Sequence, residues 1–383
     1  MNKIFVKSSC HYTTYLSGRM RRQDFFRIWW ENRTLSKKYV KYIANTIFLT
    51  AIFAGTYYLL FRDQELPDIM ESVRCANNSY LYAGIGLAIL YVCSESVIIH
   101  YLMHAIKQRI TFLKCIRYSF VGFFFSSVTP SASGGQPMQV YFMSKDGIDV
   151  AVSTLVLMVV TIVYKAVLVI LSAVMGITEL PLLRENVTDI WFFVLFGIIA
   201  NIGFIILLCL GIFEPGIAKK LSHFVLSGLG RLKLIRNTEK WKERLENSLK
   251  KYGAGAAYIR ENKKVLVHVF FITLFQRLCL FAVTYLVYRS FGLKGISAYK
   301  IITLQTIIAL AVDSLPLPGG IGASEKSFLI VFAGIFGKEF VLPGMLLSRG
   351  ITYYALILIS AVVIIGTQLL YGFRKKKRVV GKK

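Results

Sequence analysis

The chain has 383 residues, 55% of them hydrophobic, with a mean hydropathy of +0.58 and a formal net charge of +26. Apolar residues gathered in long runs exclude a soluble domain and point to a polytopic membrane protein. The charge comes with no nucleic-acid recognition motif, so no nucleic-acid partner is expected; basic residues beside apolar spans mark cytoplasmic loops and contact with anionic lipid.

In chain order, a basic arm over residues 1–41 interleaves Arg19, Arg21, Arg22 and Arg27 with Phe25, Phe26, Ile28, Trp29 and Trp30. That pattern suits a helix in the headgroup layer, or a simple positive-inside flank. It shows no cleavable signal pattern. A first span is predicted over 42–61, followed by an acidic loop with Asp63, Glu65, Asp68 and Glu71, and a second span over 79–103. After basic Lys107, Arg109, Lys114 and Arg117, the stretch 121–143 runs into Pro130 and a tip of small residues. Each arm is about half the roughly 20 residues that a spanning helix needs. Pro and Gly at the tip cannot continue a helix, and such backbone at membrane depth must be buried in protein or line a cavity. The stretch therefore reads as a re-entrant hairpin.

A third span (150–178), an acidic loop with Glu179, Glu185 and Asp189, and a fourth span (191–213) follow. The polar segment 214–264 carries thirteen Lys and Arg, with Trp241, Leu245, Leu249 and Tyr252 at helical spacing, and reads as a cytoplasmic surface helix. A fifth span (265–288) leads into a second broken hairpin over 301–337, whose tip is Asp313 to Gly322. The sixth span (342–371) and a basic tail (373–383) end the chain. Basic residues concentrate in the arm, the 214–264 segment and the tail, so both termini are expected to be cytoplasmic. The expectation is an all-α membrane protein with about six full transmembrane helices and two re-entrant helical hairpins, or eight or more segments if the hairpins cross. The order span, span, hairpin, span repeats over 42–178 and 190–372 in an inverted-topology repeat, the arrangement that lets transporters alternate access around a midplane site.

Ionisable residues inside the spans mark a pathway or a binding site, or else an internal ion pair. Lys165 follows the first tip and Arg349 the second at similar spacing, while Glu95 precedes the first tip as Gln276 and Arg277 precede the second. Two basic residues facing two broken hairpins suit an anion such as phosphate; the alternative is an ion pair of Lys165 with Glu95. Gly134, Gly135, Gly319 and Gly320 are expected to allow close backbone approach and to adopt positive φ. His100 and His104 have metal-ligand spacing but no third ligand, so no metal or other cofactor is expected. Six scattered cysteines imply no disulfide framework. Asn77-Asn78-Ser79 and Asn186-Val187-Thr188 match the glycosylation triplet.

At these tips the chain resembles the membrane region of the bacterial lysylphosphatidylglycerol synthase/flippase family and its stand-alone relatives, over roughly residues 40–372. Leu315-Pro316-Leu317-Pro318-Gly319-Gly320-Ile321-Gly322-Ala323-Ser324-Glu325 is similar to the family's Pro-x-Pro-Gly-Gly-x-Gly-x-x-Glu signature. Thr129-Pro130-Ser131-Ala132-Ser133-Gly134-Gly135-Gln136-Pro137-Met138-Gln139 resembles its Pro-x-x-x-Gly-Glu-x-x-Arg counterpart, with Gln136 where Glu is usual and Gln139 near the usual Arg. The resemblance implies a lipid translocase of a bacterial plasma membrane that moves an anionic or aminoacylated phospholipid, or a glycolipid, between leaflets. The family's soluble aminoacyl-transfer domain is not expected here, which leaves lipid modification to a separate enzyme. The site implied comprises Thr129, Pro130, Ser131, Ser133, Gly134, Gly135, Gln136, Gln139, Lys165, Asp313, Pro318, Gly319, Gly320, Glu325 and Arg349, with Glu95 and Arg277 alongside. Two other classes fit the same repeat: a carrier of a small polar or anionic solute, and an intramembrane enzyme or lipid-presenting subunit. No nucleophile–base pair supports the enzyme. The oligomeric state is open, a homo-oligomer included.

Overall fold

The computed structural model describes residues 71, 73–213 and 252–367, all helix, turn and connection, with no strand among them. The basic arm, the span 42–61, most of the 214–264 segment and the tail lie outside the described residues. Five helices among those described are long and apolar enough to cross a membrane. The chain is a multi-pass membrane protein.

Helix α1 (Asn78–Ala105) starts where the Asn77 side chain accepts a hydrogen bond from the Ser79 amide at 2.9 Å, so the first triplet serves as an N-cap. The Asn77 amide also donates to Ser290 O at 2.8 Å, at the far end of a distant helix. Two short arms follow, α2 (Phe112–Ser127) and α3 (Gly135–Lys145). At 1.5 Å per residue they reach about 24 and about 16 Å, short of a hydrocarbon core of about 30 Å. Gly147, at φ 87°, turns the chain into α4 (Val150–Thr178), capped by Asp149 on the Ala151 amide. The expected loop after α4 is helical: α5 (Leu180–Asn186) and a short 3-10 turn over Thr188–Ile190 connect it to α6 (Trp191–Phe213). There the Asn186 side chain donates to Leu182 O at 2.9 Å.

Residues 252–261 are helical and lead into α7 (Lys263–Ser290), which packs along α1 more extensively than any other pair. Arm α8 (Ala298–Val312) begins at a Ser297 cap and ends at the second tip. Helix α9 (Ala323–Arg349) leaves that tip but is bent at Gly337 (φ 74°, ψ 168°), so 323–336 form the returning arm and the rest runs on through a π-helical turn, Gly350–Ala355, to residue 367. The order long helix, arm, tip, arm, long helix thus occurs twice. The hairpin expected over 301–337 ends at the bend itself.

Buried apolar side chains form two clusters. One joins Ala88 and Val92 of α1 to Phe281–Tyr288 of α7 and to α8 and α9; the other joins Ile98–Met103 of α1 to α2, α3, the first half of α4 and Val269 of α7. Helix α6 keeps much of its surface apolar and exposed, with Phe192 75% and Ile199 64% accessible, as befits a lipid-facing helix. Its Gly197 lies against the backbone of Leu310 and Ala311, so α6 and α8 approach more closely than a Cβ would permit.

Candidate functional site

A charged centre occupies the seam between the two clusters. On α1, Glu95 falls between Val92 of one cluster and Ile98 of the other; on α4, Lys165 falls between Val163 and Leu168; on α7, Arg277 falls between Val269 and Phe281. Lys165 and Arg277 stand near the midpoints of their helices. A cation or carboxylate so far from either helix end cannot snorkel to an interface and must find its partners inside.

Lys165 finds them on α6 and the second tip. Its Nζ donates to Asp313 Oδ2 at 2.7 Å and to Asn201 Oδ1 at 2.9 Å, and lies 5.1 Å from the Phe204 ring. The Asn201 amide donates onward to Gly197 O and to Ser314 Oγ. The alternative pairing of Lys165 with Glu95 is absent, and Lys165 is instead paired with Asp313. Glu95 instead accepts from Gln139 Nε2 at 2.7 Å, and the same amide reaches Tyr118 O at 3.2 Å. Gly122 leaves the space that the Gln139 side chain fills. Arg277 is 2% exposed and lies on the face of Tyr164, 3.3 Å from the ring centroid. Tyr91 is within electrostatic reach of Arg277, Glu95 and Asp313 and is paired with Tyr164; the Gln276 side chain donates to the Tyr91 carbonyl.

The two tips touch each other. In the first, Thr129 closes the loop: its Oγ1 donates to Phe125 O at 2.6 Å and accepts from the Gly134 amide at 2.8 Å. Pro130, Ser131, Ser133 and Gln136 are exposed, and Gln136 donates to Thr161. The left-handed backbone falls on Ser131 (φ 51°) and Ala132 (φ 53°), not on the glycines. Gly134 has φ −85° and Gly135 opens α3, so the expectation of positive φ there is corrected. Their role is close approach: a Cβ on Gly134 would come within 2.6 Å of Thr129, and one on Gly135 within 2.8 Å of Gly122 O.

The second tip meets the expectation, with Gly319 at φ 57°, Gly320 at 68° and Gly322 at 85°. It is held by a clasp. Glu325 caps the Gly322 amide with Oε2 at 2.7 Å and accepts from Arg349 Nε with Oε1 at 2.8 Å. Arg349 Nη2 in turn donates to Gly319 O at 3.0 Å, and its guanidinium lies 4.5 Å from the Tyr353 ring. Pro318 and Gly320 are buried beneath. Arg349 is thereby committed to the tip. Tyr353, whose ring lies against Gly319, links this region to the end of α2: its buried hydroxyl donates to Ser127 O at 2.8 Å.

The expected site residues therefore fall into three groups: an exposed first tip, a clasped second tip, and a charged centre of Glu95, Gln139, Lys165, Arg277 and Asp313. Sequence reasoning missed Tyr91, Tyr164, Asn201 and Tyr353. Three carried a signal: Tyr91 and Tyr353 each lie four residues from a charge already singled out, Glu95 and Arg349, on the same helical face. Asn201 is a lone amide in an otherwise apolar helix, itself a marker. Asp146, at the base of the first hairpin, accepts from both Arg117 and Tyr118 and ties α3 back to α2. The family model described as the lysylphosphatidylglycerol synthase TM region matches residues 46–360. No curated protein matches the chain.

Proposed function

The chain belongs to the lysylphosphatidylglycerol synthase TM-region family, and from that premise we propose that it is a lipid translocase, a transport protein and not an enzyme. It moves the headgroup of an anionic or aminoacylated phospholipid, or of a glycolipid, between leaflets while the acyl tails stay in the bilayer. The observation that carries this reading is the charged centre midway along α1, α4 and α7, beside two broken hairpins whose tips touch. Ionisable groups at that depth are costly and by default mark a pathway or a binding site. Arms too short to cross favour re-entrant hairpins, and the twice-repeated element order favours two inverted halves. The test is reconstitution of the full chain into liposomes with a short-chain fluorescent phosphatidylglycerol, followed by quenching of the outer leaflet. Accelerated loss of the protected inner-leaflet signal is expected for the wild type, and at least a tenfold slower rate for Asp313→Asn. A wild-type rate equal to that of protein-free liposomes, for this lipid and for its lysylated form, would refute the reading.

A further inference from the structure

The cations of the bundle are not equivalent. Arg117, Lys165 and Arg349 each meet a carboxylate at ion-pair distance. Arg277 meets none among the described residues, although it is among the most buried of them. Its Nε and Nη2 are both out of contact with solvent and both lack a hydrogen-bond partner. These two atoms flank one edge of the guanidinium, the edge that offers two parallel N–H groups to a pair of oxygens on one atom. The plane itself is fixed, since one face lies on the Tyr164 ring and Phe281 stands 5.8 Å away. A buried cation with two orphaned donors is unfavourable unless something occupies that edge. Neighbouring carboxylates do not fill the role: Glu95 is held by Gln139 and Asp313 by Lys165.

We infer that Arg277 is the anion-binding group of the centre and takes two oxygens of a phosphate through its Nε–Nη2 edge, with Tyr164 fixing the plane of the fork. The phosphate is either the phosphodiester of a lipid headgroup or a free phosphate ion. This inference rests on the translocase reading only for the source of the phosphate; the orphaned fork stands without it. Lys165 and Arg349, the two cations that the sequence put forward for this task, keep their carboxylates and shape the site around it.

The test uses the delipidated full-length protein in a phosphate-free maltoside detergent. Three probes are titrated: a water-soluble short-chain phosphatidylglycerol, the matching diacylglycerol without phosphate, and inorganic phosphate. Thermal unfolding reads binding and fold together. The expected result is stabilisation by phosphatidylglycerol and none by diacylglycerol. In Arg277→Gln the apparent affinity falls at least tenfold, with an unfolding temperature in the absence of lipid no lower than that of the wild type. Competition by inorganic phosphate at millimolar levels would assign the site to the soluble ion; its failure to compete would assign it to lipid. Binding within threefold of wild type in Arg277→Gln overturns the inference. Arg277→Lys provides a second arm should the glutamine variant fail to fold: it keeps the charge and loses the fork, and an unchanged affinity there also overturns it. Liposome transport separates this inference from the function it builds on. Wild-type protein that binds phosphatidylglycerol through Arg277 but moves no lipid sinks the translocase alone. Transport undiminished in Arg277→Gln sinks the anion site alone.

Discussion

At the scale of single residues, what decides the behaviour of an intramembrane charge is the partner it already has. Lys165 and Asp313 have side chains only 13% and 18% exposed, so deleting either leaves an ion without its counter-charge in a poorly hydrated place. That loss is about 3 kcal/mol for a pair buried to this degree, whereas removing both charges together is far milder. Lys165→Met should therefore lower the unfolding temperature and abolish transport. Adding Asp313→Leu should restore most of the stability, while adding Glu95→Gln should restore none; the two double variants in one melting series check which carboxylate is the partner. The glycines divide in the same residue-by-residue way. Gly319→Ala meets a left-handed backbone worth about 1–2 kcal/mol against any side chain, as well as the Tyr353 ring. Shrinking Tyr353 should rescue only part of the loss. Gly134→Ala meets no backbone strain; its Cβ meets chiefly Thr129, with the Phe125 carbonyl at 3.2 Å, so Thr129→Gly in the same chain should recover most of its fold even though the loop-closing hydroxyl is lost.

At the scale of elements, each tip needs its own device because Pro and Gly leave backbone groups that no helix satisfies. The first tip uses a threonine hydroxyl and the second an Arg–Glu clasp that reaches two backbone groups, the Gly322 amide and the Gly319 carbonyl. Arg349→Lys keeps the charge but cannot hold Glu325 and the Gly319 carbonyl at once from a planar fork. Loss of one such charge-assisted bond is about 1.5–3 kcal/mol. Hydrogen exchange of the Gly319–Gly322 amides should speed up in Arg349→Lys, and the first tip should exchange as before. The element boundaries were legible in the sequence wherever apolar length alone decides them: the spans expected over 150–178 and 191–213 are the helices α4 and α6, residue for residue. The broken hairpins were legible from Pro and Gly. Pairing was not, because a carboxylate's partner depends on how helices 148 residues apart in sequence rotate against each other. The positive φ at Ser131 and Ala132 was equally hidden, since neither residue type advertises a left-handed backbone as glycine does.

For the molecule as a whole, the question is whether the two halves move as one body. The two apolar clusters are not these halves, since α1, α4 and α7 run unbroken through both; the elements placed to part are the two tips. The tips touch, and the bond from Tyr353 Oη, whose ring lies beside Gly319, to Ser127 O at 2.8 Å ties the second tip's surroundings to the end of α2. If a headgroup passes this point, the tips must separate in some step of the cycle. Removing the hydroxyl should favour the separated arrangement by about 1 kcal/mol, close to a fivefold shift in population. Spin labels on Ser133→Cys and Pro316→Cys, both exposed in the tips, with native cysteines replaced and the protein in lipid nanodiscs, would report the distance distribution directly. A second, longer distance should appear or grow in Tyr353→Phe, and the rate of lipid movement should rise if separation limits turnover. An identical distribution in both proteins, with transport intact, would mean that the tips form one rigid unit and that the headgroup passes around them instead of between them.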